Sequence, residues 1–239
     1  MDRRLFRMPN DEIVRVHNAD TKDMTEWADE NKFNYTSKRL EEQAWKDRYE
    51  YESNILSHII NESGASKILE LGPGPGELSN LVYQKSNHDI EYHLVDKPIA
   101  KDVFEQKGYK GKFFIKDMSE GLDPSGLDTV YDMIVANDFL EHVFNPSHIV
   151  REGYKLLCED GLFFVSVPNW RMGHNWIYRG LFDYDNWILF MHYHNFEFIN
   201  TWKSNLMCPY YPKIDSEKTM SDNLIQSWNW YMLFKKSKI

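Results

Sequence analysis

The chain has 239 residues, a hydrophobic fraction of 42% and a net charge of −9, which suits one globular domain with a cap and argues against broad binding of nucleic acid backbones. Its two cysteines, Cys158 and Cys208, lie too far apart in sequence for us to expect a disulfide framework or a zinc knuckle. No signal peptide is recognisable and no apolar run approaches the ~18 residues of a membrane span, so we expect a soluble, cytoplasmic protein.

The N-terminal part is predicted to be an irregular arm followed by a helix. Residues 1–36 are polar, with scattered apolar anchors and no clear period. Residues 38–60 place apolar side chains near helical spacing, which predicts an amphipathic helix. We therefore divide the chain into residues 1–60, an arm and helix that cover the site, and residues 61–239, the main domain.

The next hundred residues alternate between short apolar runs and helical patterns. Apolar strands that alternate with helices predict an α/β fold with a parallel sheet covered on both faces. The predicted strands are 68–71, 92–95, 113–115, 132–136 and 162–167, and the predicted helices are 77–85, 98–107 and 146–157.

Residues 168–195 interrupt this alternation. The segment holds three Trp, three Tyr and three His residues with little periodicity, so we interpret it as a cap insertion beside the site. The remaining predicted elements are a helix over 196–206, a strand over 208–214 and a last strand over 228–234.

The stretch KILELGPGPGE, from Lys67 to Glu77, carries glycines at alternate positions after the first predicted strand. Gly72, Gly74 and Gly76 permit a sharp turn and a close approach of the backbone to a ligand. Ligands of α/β sheets bind at this end of the strands. A phosphate-binding P-loop would need a Gly-Lys-Ser/Thr ending, and a dinucleotide site the spacing G-x-G-x-x-G, and the loop has neither. A Gly/Pro turn without a ligand remains the alternative.

Two carboxylates follow the next two predicted strands. Asp96 lies twenty residues after Gly76, where a carboxylate can accept hydrogen bonds from both hydroxyls of a ribose. Because Pro98 begins the next predicted helix, Asp96 could instead cap that helix. Asp117 follows the third strand, where a plain turn residue is the alternative.

Four segments, in this order, resemble class I S-adenosylmethionine-dependent methyltransferases, in particular the group that includes the ubiquinone-pathway O-methyltransferases. The segments are E-x-G-x-G-x-G at 70–76, DMIVANDFLEHV at 132–143, LLCEDGLFFVSVPN at 156–169 and HYHNF at 192–196. The sequence Glu-Asp-Gly at 159–161 stands where that group has Pro-Gly-Gly. The resemblance implies a Rossmann-like sheet of seven mostly parallel strands, with strand 7 antiparallel and helices on both faces.

The resemblance also implies a cofactor, S-adenosyl-L-methionine (SAM), with S-adenosyl-L-homocysteine as the product. The glycine loop and Asn137 would face the methionine part, Asp96 the ribose, and Asp117 the adenine amino group, with the Met118 backbone beside a ring nitrogen. The implied cofactor-binding set is Glu70, Gly72, Gly74, Gly76, Asp96, Asp117, Met118 and Asn137.

Methyl transfer to a hydroxyl requires in-line placement, exclusion of water and removal of a proton. Histidine is the natural base near neutral pH. His142, just after the fourth predicted strand, is best placed at the mouth of the sheet, while His174, His192 and His194 lie in the predicted cap. Each of them could instead be a packed or an exposed residue.

Asp138, Glu141 and His142 have D-x-x-E-H spacing, which puts them near one helical face. Some relatives, including small-RNA 3′-end methyltransferases, hold a divalent cation with E-x-x-E-H, and His192 or His194 could complete such a set. Other relatives carry Glu-His here without a metal. We favour a site without a metal and keep this set as the alternative.

Aromatic and arginine side chains are expected to enclose the methyl acceptor, or to form a small core within the cap. They are Trp45, Arg48, Tyr49, Trp170, Arg171, Trp176, Tyr178 and Arg179. We expect O-methylation of a small hydroxylated metabolite or a sugar. The alternatives are N-methylation of a small amine, methylation of RNA or protein, and SAM binding without turnover. The acidic charge and the missing N-P-P-Y motif weigh against RNA, and the oligomeric state is left open, a dimer included.

Overall fold

The computed structural model describes residues 43–127, 130–168, 184–203 and 229–238. Helices and strands alternate along most of this part of the chain, and a short 3₁₀ turn, Leu140–His142, follows the fourth strand. The helices are α1 (Gln43–Ser63), α2 (Glu77–Lys85), α3 (Pro98–Gln106), α4 (Pro146–Leu156) and α5 (Tyr184–Tyr193). The strands are β1 (Lys67–Leu71), β2 (Glu91–Asp96), β3 (Lys112–Ile115), β4 (Tyr131–Asn137), β5 (Leu157–Pro168), β6 (Phe196–Lys203) and β7 (Asn229–Lys236).

The strands form one twisted sheet in the order β3-β2-β1-β4-β5-β7-β6. Strands β1 to β5 pair in parallel, and β7 lies antiparallel between β5 and β6. This arrangement confirms the predicted α/β fold with a mostly parallel sheet and an antiparallel last strand. The strand order reverses between β1 and β4, which is where open α/β sheets bind ligands beyond their carboxyl ends.

Two apolar layers cover the sheet because side chains alternate along each strand. Met133 and Val135 of β4 face α1, α2 and α3, while Ile134 and Ala136 face α4 and α5. All four are fully buried, as expected for a strand with helices on both faces. The buried face of α1 contributes to the first layer, so the predicted boundary at residue 60 falls inside this helix.

The second half of the chain departs from prediction in one element. The predicted helix over 196–206 is wrong, because Phe196–Lys203 is the edge strand β6. Phe196 is buried and Phe198 half-buried against β7, while Glu197 and Ile199 are exposed, and this alternation is the period of a strand. The helix in this region is α5, inside the predicted cap, and Asn195 (φ 64) ends it in the left-handed region.

Other expectations lie outside the described residues, namely the arm over 1–36, most of the cap before Tyr184, and the strand over 208–214. The predicted last strand is confirmed as β7, and helix α2 has the predicted bounds. Strand β5 is longer than predicted, since Leu157 already pairs with Tyr131 before the left-handed Asp160 shifts the register. None of the described helices is long and apolar enough to cross a membrane.

Candidate active site

The glycine loop joins β1 to α2 and is built from left-handed residues. Gly72 (φ 70), Gly74 (φ 56) and Gly76 (φ 82) all adopt a backbone conformation that strains residues with a Cβ atom. A Cβ on Gly72 would lie 2.3 Å from Phe139 Cδ2, and one on Gly76 would lie 2.6 Å from Phe104 Cδ2. The loop therefore needs glycine at both positions, for backbone conformation and for space.

Asp96 is fixed against this loop. Its Oδ2 accepts a hydrogen bond from the Gly74 amide (2.8 Å) and its Oδ1 one from the Lys97 amide (2.7 Å). Burial raises the pKa of Asp96 to about 6, although both amide hydrogen bonds oppose the shift. Lys97 is the N-cap residue of α3, and no side chain caps the helix there. Asp96 therefore supports the glycine loop and does not cap α3.

Asp117 stands at the end of β3, where its Oδ1 accepts hydrogen bonds from the Ser119 amide (2.9 Å) and hydroxyl (2.6 Å). Its partial burial raises the pKa of Asp117, but these two hydrogen bonds outweigh that effect and lower it below the ordinary value. Asp117 is therefore ionised at neutral pH and keeps its second oxygen for a ligand. Met118, the next residue, is buried in the core.

The predicted cofactor residues form a row along the carboxyl edge of the sheet. Asp117 and the glycine loop follow β3 and β1, while Asp96 and Asn137 are the last residues of β2 and β4, and the four strands are consecutive in the sheet. With neighbouring strands about 4.8 Å apart, the row spans about 14 Å, which suits an elongated ligand such as a nucleoside joined to an amino acid.

Glu70 lies in β1 with 2% of its surface exposed. Burial raises the pKa of Glu70 to about 8, helped by the nearby carboxylates of Glu52 and Asp96 and opposed by the Tyr92 hydroxyl. Among the described residues no hydrogen-bond partner is found for its Oε2. With this pKa the Glu70 carboxyl group is mostly protonated at neutral pH, and its Oε2 can form a hydrogen bond with a polar group of a ligand.

A buried polar network, which we call the α1 network, connects α1 to the ends of β4, β5 and β7. Arg48 donates from Nε to Glu52 Oε1 (2.7 Å) and from its other edge to Asp138 Oδ2. Glu52 is fully buried and also accepts from Asn137 Nδ2 (3.1 Å) and the Tyr231 hydroxyl (2.9 Å). Arg48, which was predicted to bind the acceptor, contacts two carboxylates of the protein in this structure.

Asp138 is the other centre of the α1 network and has a positive φ of 47°. Its Oδ1 accepts from Asn229 Nδ2 (2.6 Å) and lies 2.8 Å from the Ser166 hydroxyl. The Ser166 hydroxyl also reaches Asn137 Oδ1 (2.8 Å). Residues from three other elements, α1, β5 and β7, therefore hold the turn after β4.

Of the predicted bases, the structure brings His142 to the carboxyl edge of the sheet. Its side chain is 24% exposed, and its Nε2 lies 3.7 Å from Glu141 Oε1. The other two described histidines lie elsewhere, because β6 begins at the opposite edge, where Phe196 pairs with Lys236. His192 is exposed there, and His194 Nε2 contacts the Ser147 hydroxyl (2.9 Å). His192 is thus exposed close to the start of β6, whereas His194 is held against the first turn of α4.

The alternative metal set does not assemble in the part of the chain that the structure describes, where no group of three His, Cys, Asp or Glu residues could hold a metal ion. Asp138 is committed to Arg48, Ser166 and Asn229. Glu141 is fully buried, and burial next to Asp138 raises its pKa well above the ordinary value.

Trp45 and Tyr49 remain as candidate acceptor residues on α1. Their rings are 6.0 Å apart, and the Arg48 guanidinium lies 5.2 Å from the Trp45 ring centre. The other candidates lie outside the described residues, namely His174, Trp170, Arg171, Trp176, Tyr178 and Arg179.

Sequence reasoning missed five residues of the site. Glu52 could have been found, because it lies one helical turn after Arg48 and has the opposite charge. Ser166 stands in the strand-five segment that carries the family resemblance, but no role follows from its position alone. Phe139, Asn229 and Tyr231 gave no signal, since their contacts depend on how distant segments meet.

The sheet order, the glycine loop after β1 and the acidic residues after β2 and β3 together define a class I SAM-dependent methyltransferase. A SAM-dependent methyltransferase from Clostridium acetobutylicum ATCC 824 shares the fold, with a TM-score of 0.57 and 12% identity over 89% of this chain and 99% of that one. A protein assigned as a sarcosine dimethylglycine methyltransferase from Galdieria sulphuraria gives a TM-score of 0.56 and 13% identity over 85% and 91% of the two chains.

The family model described as a methyltransferase domain matches residues 16–207, and this chain belongs to that family. Its cofactor is accordingly SAM. An alignment over 136 residues also shows 26% identity to "Probable polyketide synthase 42" of Dictyostelium discoideum and covers 48% of this chain. The match spans only 5% of that much longer relative.

Proposed function

We propose that this chain methylates a hydroxyl oxygen of a small metabolite or a sugar, with His142 as the general base. The observation that carries the proposal is the position of His142, partly exposed in the turn that directly follows Asn137 and Asp138. A hydroxyl loses its proton during methylation, and a neutral imidazole at the mouth of the site can accept it.

SAM supplies a methyl group that its sulfonium charge already activates. The residues of this chain need only hold the two reactants in line and keep water out. Asp96 and Asp117 offer carboxylate oxygens to the ribose and the adenine amino group, and Glu70 offers a buried oxygen near the methionine end. Phe139, packed on Gly72, closes the loop from the β4 side.

Glu141 supports the role of His142 as a base. Burial next to Asp138 raises the pKa of Glu141 well above its ordinary value. Glu141 Oε1 lies 3.7 Å from His142 Nε2, so the acidic neighbour of the proposed base is a carboxyl group that favours its neutral form. Such a neighbour stabilises an imidazolium less than an ordinary carboxylate would.

The test is methyl transfer from labelled SAM to a panel of sugars, phenols, amines and amino acids. We expect product from a hydroxylated acceptor, and we expect H142Q to lower kcat by about 10²-fold or more with little change in SAM affinity. H192Q is the control, because His192 is exposed at the opposite edge of the sheet. An O-methyltransferase whose H142Q variant keeps full kcat would contradict the assignment of the base.

N-methylation of a small amine is the second candidate. The Trp45–Tyr49 pair supports it, because aromatic faces attract ammonium groups. Turnover of amines alone in the same panel would favour this candidate. A thioester-linked keto acceptor also belongs in the panel, because of the sequence similarity to a segment of a polyketide synthase.

A further inference from the structure

We propose that Arg48 is a positioning residue that holds the turn after β4 in its left-handed conformation. It thereby fixes the position of the cofactor side of the site relative to α1. The inference deepens the proposed function and rests on it only for the identity of the acceptor. SAM binding, which the family membership establishes, provides an independent readout.

The first observation is the backbone of Asp138. A φ of 47° places a residue with a Cβ in a region that costs about 1–2 kcal/mol, although Asp tolerates it better than most residues. Such conformations persist where the surroundings determine them strongly. Here the Asp138 carboxylate meets Arg48, Ser166 and Asn229, and its amide donates to the Ser166 carbonyl (3.0 Å).

The second observation is what this turn carries. Asn137, on one side of Asp138, lies at the expected methionine end of the site. Phe139, on the other side, packs so closely on Gly72 that a Cβ there would meet it at 2.3 Å. His142 follows three residues later. A change of φ at Asp138 would therefore move the wall of the glycine loop and the proposed base together.

The third observation is the position of Arg48 between two buried carboxylates. Its side chain is 15% exposed, and its two edges contact Glu52 on its own helix and Asp138 across the sheet edge. Arg48 brings a formal positive charge to the Asp138 carboxylate, whereas Ser166 and Asn229 are neutral. The guanidinium can bridge both carboxylates with fixed geometry, which an ammonium group cannot do as well.

The test separates backbone conformation from charge. R48M should raise the dissociation constant for SAM about tenfold, which corresponds to the strain that Arg48 offsets. In R48M/D138G the glycine adopts the left-handed conformation without strain, so we expect affinity within about threefold of the wild type. R48M/D138A removes the same charge but keeps a Cβ, so we expect it to stay about tenfold weaker.

K85M is the matched control. Lys85 Nζ contacts α1 at Ser53 and Asn54, both at 2.7 Å, and its side chain is 23% exposed. It therefore tethers the same helix without touching Asp138, and its loss should lower stability and leave SAM affinity unchanged. If R48M does not fold, the two double variants still decide the question, because both remove the Asp138 carboxylate and both leave Glu52 without its cation, so they differ only in the Cβ atom at position 138.

Three results would overturn the proposal: wild-type SAM affinity in R48M, equal recovery by D138A and D138G, or recovery by neither. A wild-type protein that binds SAM and methylates no acceptor of the panel would contradict the proposed function and leave this test intact.

Discussion

The Gly74 amide donates a hydrogen bond to Asp96 Oδ2 over 2.8 Å, so the glycine loop of β1 and the acidic end of β2 form one unit. Each feature in isolation is a weak sign of a ligand site. Together they place a carboxylate with a raised pKa directly beside a backbone shaped for close approach. A change in either element is therefore expected to affect the other.

We expect SAM binding to weaken at acidic pH because of Asp96. Its pKa of about 6 in the free protein means that the carboxylate becomes protonated as the pH falls below that value. The protonated group accepts ribose hydrogen bonds poorly, so affinity should fall by up to about tenfold per pH unit below 6. Calorimetry between pH 5 and 8 measures this dependence.

D96N should bind SAM weakly at every pH and lack the acidic decline. D102N, on the exposed side of α3, serves as its control and should follow the wild type. A decline that persists unchanged in D96N would assign it to another group.

G72A should destabilise the protein and abolish tight SAM binding. The new Cβ is strained by the backbone and lies 2.3 Å from Phe139, so we expect a loss of about 2–4 kcal/mol in the free energy of unfolding. G64A is a matched control, because Gly64 has nearly the same φ (69°) with nothing within 4 Å of its Cβ position. It should cost only the backbone strain, about 1–2 kcal/mol, and leave SAM affinity unchanged. Urea denaturation of both variants checks this, and equal losses would show that the contact with Phe139 is unimportant.

The raised pKa of Glu70 predicts that the folded protein loses stability as the pH rises. Its pKa is about 8 in the folded protein and 4.5 in the ordinary case, so the folded state retains a proton that the unfolded state has lost. The stability that this retained proton contributes is fully present below pH 4.5 and is lost as the pH rises towards 8. It amounts to a few kcal/mol.

E70Q should remove this dependence, so the variant gains stability relative to the wild type as the pH rises. Denaturation of the ligand-free proteins from pH 5 to 8 measures how the free energy of unfolding changes with pH in E70Q and in the wild type. E62Q, which changes the exposed residue Glu62, is the control. Parallel slopes for E70Q and the wild type would mean that Glu70 does not titrate in this range.

His148 should matter for the loop that carries Asp117. The Leu122 amide donates to His148 Nδ1 (3.2 Å), and the Phe144 amide to the Ser119 carbonyl (2.8 Å), so α4 and its lead-in hold this loop. H148A leaves a buried amide without its acceptor, which costs about 1–3 kcal/mol. We expect faster hydrogen exchange at Leu122 and a few-fold weaker SAM binding, while H58A, at an exposed position of α1, should change neither. Unchanged protection of the Leu122 amide in H148A would contradict this role.

The carboxyl edge could be predicted from the sequence because it depends on local order. The apolar runs in the sequence show where each strand ends. In a parallel sheet those ends bring Asp117, Asp96 and the glycine loop to adjacent positions, whatever the details of packing. The α1 network could not be predicted, since Arg48 and Asp138 are 90 residues apart and their contact depends on the rotation of α1 over the sheet.

The error at β6 has a different cause. Residues 196–203 contain apolar residues at several spacings, and the alternation of Phe196 and Phe198 is too short to distinguish a strand from a helix. The decision comes from β7, which supplies the hydrogen bonds that make this segment an edge strand. The same strand also carries Asn229 and Tyr231 into the site.

The Tyr231–Glu52 hydrogen bond joins residues 179 positions apart, which has a consequence for biosynthesis. While the ribosome is still adding β7, the carboxylate of Glu52 and the turn at Asp138 lack two of their partners. Contacts between such distant residues form late and slowly. The nascent polypeptide can thus assemble its glycine loop early, but it completes the methyl-transfer side of the site only when translation has reached the final strand.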